Sequence, residues 1–134
     1  MKTKIRPTIP DDLQYVIGEP LPFRIRALTV LDGDRVLGVG GIGFPPHGSP
    51  IAFVQQAPDA HKYPIAFHKA GLAAMRLIRE SGVAEVLSTA DPDNPKALQW
   101  LERLGFTLAE HQSVPGRVLF VWRKSDHSDI KAER

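Results

Sequence analysis

The sequence predicts an α/β protein of the α+β mixed-sheet kind: a central, mostly antiparallel sheet with one parallel β-α-β crossover, flanked by helices. Three observations carry this. Residues 23–44 run as two strand-like segments either side of a turn signal at Asp32-Gly33, which is a β-hairpin pattern. The stretch "YPIAFHKAGLAAMRLIRESG" is a long helical segment, apolar at 67, 74, 75 and 78. It lies between the apolar runs "IAFVQQA" and "VAEVLSTAD", so the chain is expected to cross over, right-handed, between parallel strands.

In chain order, "KIRPTI" reads as a short first strand. "PDDLQYVIGE" follows as a helix, with Pro and two Asp at its start and Leu13, Val16 and Ile17 at helical spacing. "FRIRALTVL" alternates and is a strand; "DRVLGVGGIGF" is its hairpin partner. Glycines at 38, 40, 41 and 43 in that partner point to bulges or close backbone approach. They are not a dinucleotide fingerprint, because no helix follows them. "PPHGSP" is a loop, and "IAFVQQA" is apolar enough to be a central strand. The long helix ends at Gly82. After "VAEVLSTAD" comes a second clear helix, "NPKALQWLERLGF", and then "TLAEHQSVPGRVLFVWRK" as a final hairpin turning at Pro115-Gly116.

The 134 residues fit one domain over 1–124, with a polar tail at 125–134 that is expected to be disordered. Hydrophobic content of 43% and charged content of 24% are those of a soluble globular protein. Cysteine is absent, which removes disulfide and thiolate chemistry and agrees with a cytoplasmic location. No run approaches a membrane span, so no membrane is expected. The net charge of +2 is too weak and scattered for a nucleic-acid partner and supports only a modest bias towards small anions. Histidines 47, 61, 68, 111 and 127 show no paired-ligand spacing, so no metal is expected.

The order of elements, with "NPKALQWLERLGF", resembles the GCN5-related N-acetyltransferase (GNAT) superfamily over most of the chain. Matching residues are Ile5, Arg6 and Asp11 or Asp12 at the first strand and helix; Gly33, Asp34, Val36 and Gly38 in the hairpin; and Asn94, Ala97, Gly105 and Phe106 in the last block. The resemblance implies acetyl-CoA as co-substrate and an amine acceptor, a small molecule or a protein. It also implies that the pantetheine arm pairs with exposed strand backbone, here Val54 to Gln56. The pyrophosphate would then lie at the start of the following helix, where His61, Lys62, Ile65, Ala66 and Phe67 stand. Helix N-termini favour anions through unpaired N–H groups and the helix dipole.

The chain departs from the family pattern in two places. The phosphate-loop positions are His61, Lys62, Tyr63, Pro64, Ile65 and Ala66, which lack the usual glycines, and Pro64 has no N–H to offer. Two readings fit that segment: an anion site, or a Pro-started helix preceded by an exposed basic residue. The family tyrosine that protonates the leaving thiolate is replaced by Leu101, which cannot donate a proton. Leu101 and Trp100 read as packing residues, and Asn94 as a helix N-cap that can also meet the cofactor. The catalytic residues are unknown from sequence. The central strand has no carboxylate; Gln55 and Gln56 can hold a water, and His47 is the titratable group nearest by sequence.

Three functions are therefore open: an N-acetyltransferase working by direct attack, an inactive protein of this fold with a structural or interaction role, or a regulator that binds acyl-CoA or another anion without turnover. Small acetyltransferase-like proteins of tailed phages look similar, at Asn94, Leu101, Gly105, Gly116, Arg117 and Phe120, which would imply a virion location. A final hairpin exposing Phe120 and Trp122 would suit pairing across a homodimer.

Overall fold

In the computed structural model, residues 3–19, 21–109 and 115–126 are described. Residues 110–114 with His111, and 127–134 with His127, lie outside the described residues. The described residues form seven strands and three α-helices: β1 (Thr3–Pro7), α1 (Pro10–Val16), β2 (Arg24–Asp32), β3 (Arg35–Phe44), β4 (Ile51–Gln56), α2 (Pro64–Glu80), β5 (Glu85–Ala90), α3 (Pro95–Arg103), β6 (Thr107–Leu108) and β7 (Val118–Arg123). They make one sheet in the order β1-β2-β3-β4-β5-β7-β6. All neighbours are antiparallel except β4 and β5, which are parallel and joined by α2. This is the expected mixed sheet with one crossover. Among the described residues no helix is long and apolar enough to cross a membrane.

The β2–β3 hairpin closes through Gly33-Asp34, one residue later than the sequence signal, with φ of 60° at Gly33. Such twisted hairpin turns need a residue at positive φ, which glycine supplies without strain. Leu37 is the extra residue of a bulge between the pairs Val30–Gly38 and Leu31–Val36, and it is fully buried. The glycine run of β3 answers to close approach. A Cβ on Gly41 would stand 2.2 Å from the carbonyl of Arg26, and one on Gly38 would stand 2.8 Å from the ring of Phe67.

Side chains alternate between two layers. Val86, Ala90, Phe120 and Trp122 share one face with Ile42 and pack against Met75 and Ile78 of α2 and Leu101 of α3. A second cluster on α2 joins Phe67, Ala66 and Tyr63 to Val30 and Leu37. Phe120 and Trp122 are therefore core residues, at 4% and 1% exposure, and not an exposed pairing surface. Their aromatic bulk is what fills the space under α2 and α3 at that end of the sheet.

The opposite face holds α1 through a buried carboxylate. Asp12 accepts two bonds from Arg6, at 2.6 and 3.0 Å, one from Thr29 Oγ1 at 2.7 Å and one from the Ile9 N–H at 3.0 Å. The Arg6 guanidinium, with these other donors, holds the Asp12 carboxyl down to about 2 despite its burial. The folded value lies below the ordinary unfolded value of about 3.9, so the folded state binds fewer protons at acid pH. This stabilisation is complete above about pH 5 and is lost as pH falls through 4 towards 2. After discounting for the solvent around Arg6, it is worth about 1–2 kcal/mol. Urea denaturation from pH 2 to 6 should show that loss in the wild type, and Asp12→Asn should flatten it while lowering stability at neutral pH.

Candidate functional site

The two core clusters do not meet. Between them lies a cavity of about 390 Å³ whose lining includes Val30 and Phe67 from one cluster and Met75, Ala90 and Leu101 from the other. Much of its apolar lining is small, with Gly40, Gly41, Ala52, Ala70, Gly71 and Ala74 among it. Protein interiors pack tightly, so an unfilled apolar space of this size is the kind of cavity that holds a ligand.

The cavity exists because β4 and β5 part. Their pairing is confined to Ile51 opposite Leu87, where the Leu87 N–H donates to the Pro50 carbonyl at 2.9 Å. The last link is a side chain: Ser88 Oγ donates to the Ala52 carbonyl at 3.2 Å. Beyond it, β4 keeps its antiparallel bonds to β3 but, among the described residues, has no strand on its other edge. In an antiparallel ladder, successive residues direct their backbone groups to alternate sides. Pro50 and Ala52 point theirs at β5, and the Ala57 N–H points to Leu37 of β3. By that alternation the N–H and C=O of Val54 and Gln56 face the gap. The gap thus offers an unpaired strand edge above an apolar floor.

The segment from β4 into α2 is built as a clamp. It contains a 3-10 turn, Ala60–Lys62, in which the N–H groups of Ala60, Lys62 and Tyr63 donate to the carbonyls of Ala57, Asp59 and Ala60. Tyr63 then starts α2 with Pro64 behind it. The Tyr63 hydroxyl donates to Asp32 at 2.7 Å and accepts from Arg35 at 3.1 Å, and Arg35 also pairs with Asp59 at 2.8 Å. These bonds tie the segment to the β2–β3 turn, and the Asp32 carboxylate pushes the Tyr63 phenol above its ordinary pKa. The Phe67 N–H donates to the Tyr63 carbonyl at 3.1 Å, so it is spent inside the helix. In the first turn, the N–H groups of Ile65 and Ala66 have no acceptor among the described residues.

The sequence-derived site residues separate into two sets. Val54, Phe67 and Asn94 line the cavity; Gln56, His61, Lys62, Ile65 and Ala66 lie outside its lining, the last four on or beside the clamp. His61 Nδ1 sits 3.1 Å from the Pro58 carbonyl, Lys62 is exposed, and Ala66 is turned into the core. Asn94 caps α3, its Oδ1 accepting the Ala97 N–H at 3.2 Å, which leaves its amide hydrogens for the cavity. His47 is exposed and is not part of the lining. The charged groups that do line it are Asp91 and Arg117, with Ser88, Thr89 and Gln55 as its neutral polar side chains beside Asn94. Asp91 and Arg117 were beyond sequence reasoning because β5 and β7 meet only through the sheet register. Trp100 both lines the cavity and seats α3 on α2: a Cβ on Gly71 would come within 2.8 Å of its ring.

At the sequence level no family model matches this chain, and no curated protein does either. Solved structures do match its fold. The ribosomal-protein-S18-alanine N-acetyltransferase of Escherichia coli aligns with a TM-score of 0.67 at 14% identity, over 91% of this chain and 94% of its own. An acetyltransferase of Bacillus subtilis, solved in complex with CoA, gives 0.66 at 14%, over 91% and 99%. The yncA protein of Salmonella typhimurium, solved with acetyl-CoA, gives 0.68 at 13%, over 90% and 93%. The chain has the fold of the GCN5-related N-acetyltransferases, the acyl-CoA N-acyltransferase fold.

The clamp makes a direct prediction. Tyr63→Phe keeps the ring in the core but leaves Asp32 and Arg35 without the hydroxyl. Amide exchange at Ala60, Lys62 and Tyr63 should speed up relative to wild type, while exchange in β2 and β7 stays unchanged.

Proposed function

We propose that this protein transfers acetyl from acetyl-CoA to an amine by direct attack. The observation that carries this is the parting of β4 and β5, which leaves the backbone of Val54 and Gln56 unpaired over a ligand-sized apolar cavity. Acetyl-CoA supplies an activated thioester. In this reading the amide-bearing pantetheine arm pairs with Val54 and Gln56 as an added strand edge. Phe67, Leu101 and Trp100 cover its apolar side, and Asn94 donates to it from the start of α3. The N–H groups of Ile65 and Ala66, with Lys62 and His61, meet the phosphates at the positive end of α2.

The chemistry asks little of acid or base side chains. The deprotonated amine forms a bond to the thioester carbon, the carbon–sulfur bond breaks, and the thiolate leaves with its electron pair. The nitrogen gives up its remaining extra proton to water, and water protonates the thiolate, since Leu101 cannot. The protein's share is positioning and a preorganised N–H edge for the developing oxyanion, which suffices for a reactive thioester. The loss of one phosphate-loop N–H at Pro64, and the use of the Phe67 N–H within the helix, support a weak grip on the pyrophosphate.

Thermal shift and calorimetry with acetyl-CoA test the reading. Millimolar acetyl-CoA should raise the melting temperature, and no shift would overturn it. Val54→Pro removes an N–H that faces the gap and not β3; it should abolish binding with a smaller effect on stability. Lys62→Ala should weaken binding about fivefold, on the order of 1 kcal/mol, if the lysine meets a phosphate. Unchanged affinity would take Lys62 out of the site.

A further inference from the structure

The end of β5 carries a second feature that acetyl transfer alone does not use. Asp91 and Arg117 are the charged side chains among the described residues that line the cavity, and they are of opposite sign. The β5–β7 register ends at the pair Ala90–Val118, and Asp91 and Arg117 are the residues just beyond that pair on the two strands. Both border the same cavity, at the end where these two strands leave off. They do not form an ion pair. The Arg117 guanidinium instead donates through Nε to Thr89 Oγ1 at 3.0 Å and through Nη2 to the Thr89 carbonyl at 3.2 Å. Asp91 Oδ1 accepts the Asp93 N–H at 2.9 Å. Each charge is thus oriented by a neutral partner and keeps its ionic capacity open: both Nη1 hydrogens on one, the second carboxylate oxygen on the other.

Their side of the sheet matters. Val86, Ala90, Phe120 and Trp122 point to α2 and α3, so Thr89 and Arg117, at the intervening positions, point to the opposite face. The segment proposed for the cofactor phosphates is on the helix side, at the start of α2. A cation on the other face of the gap is therefore placed for the second substrate. A held guanidinium recognises a carboxylate by paired N–H bonds, and a nearby carboxylate recognises an ammonium.

We propose that the acceptor is an amine that also carries a carboxylate, with Arg117 as the specificity-determining residue for the carboxylate and Asp91 orienting the ammonium before it loses its proton. This rests on the acetyl-transfer reading above. The test is release of free CoA thiol from acetyl-CoA with two matched series: glycine, alanine and glutamate against glycinamide, alaninamide and methylamine. Acetyl-CoA binding is measured on the same samples by calorimetry. The amino-carboxylates should react at least tenfold faster in kcat/KM. Arg117→Gln should erase that preference without changing the KM for acetyl-CoA, and Arg117→Lys should keep part of it. Equal or faster reaction of the amines lacking a carboxylate would overturn the proposal. So would a raised KM for acetyl-CoA in Arg117→Gln, which would give the residue to the cofactor. Acetyl-CoA binding with no turnover of either series overturns the acceptor assignment alone, whereas absence of acetyl-CoA binding overturns the transferase reading beneath it.

Discussion

The site depends on one constraint: two parallel strands that pair at a single residue and then separate. A continuous β4–β5 ladder would bury the backbone of Val54 and Gln56 in hydrogen bonds and leave a plain seven-stranded sheet. Separation leaves those groups facing a gap, and backbone polar groups left unpaired must find water or a ligand. The Ser88 hydroxyl marks the vertex, since it reaches the Ala52 carbonyl where the strand ladder has ended. Everything else in the site is arranged around that opening.

Two features keep the opening from collapsing. Small residues along β3, β4 and α2 leave the space unfilled, while Phe67 above Gly38 and Trp100 against Gly71 hold α2 and α3 at their distances from the sheet and from each other. The clamp of Asp32, Arg35, Asp59 and Tyr63 then fixes the entry to α2 to the far hairpin turn. On the other face, the Asp12 network anchors α1 to β1 and β2 without touching the gap. The Asp12 network and the cavity lining thus share no residue, so stability at α1 and binding in the gap can be changed separately.

Much of the fold was legible in the sequence because its signals are local. The turn at Gly33, the Pro starts of all three helices, the Asn94 cap and the period of α2 and α3 each depend on a few neighbouring residues. "IAFVQQA" was legible as a strand, but its open edge was expected only from the resemblance to the family, because the place where two strands part is set by long-range pairing. What could not be read is set by long-range register. Asp91 and Arg117 are separated in sequence and meet only because β5 pairs with β7. The burial of Phe120 and Trp122 is of the same kind: "VLFVWR" does not alternate, and only packing beneath α2 and α3 shows that both rings are inside. Tyr63 looked like a loop residue just before Pro64, which stands where the family has a glycine. Its hydroxyl gives it a structural task there, through Asp32 and Arg35, that no local pattern announces.

Residue-resolved amide exchange with and without acetyl-CoA tests most directly whether the parted edge of β4 is the cofactor's binding edge. The N–H groups of Val54 and Gln56 should be strongly protected when acetyl-CoA is bound, while Phe53 and Gln55, already bonded to β3, change little. Binding of acetyl-CoA that leaves Val54 and Gln56 exchanging as in the free protein would contradict it.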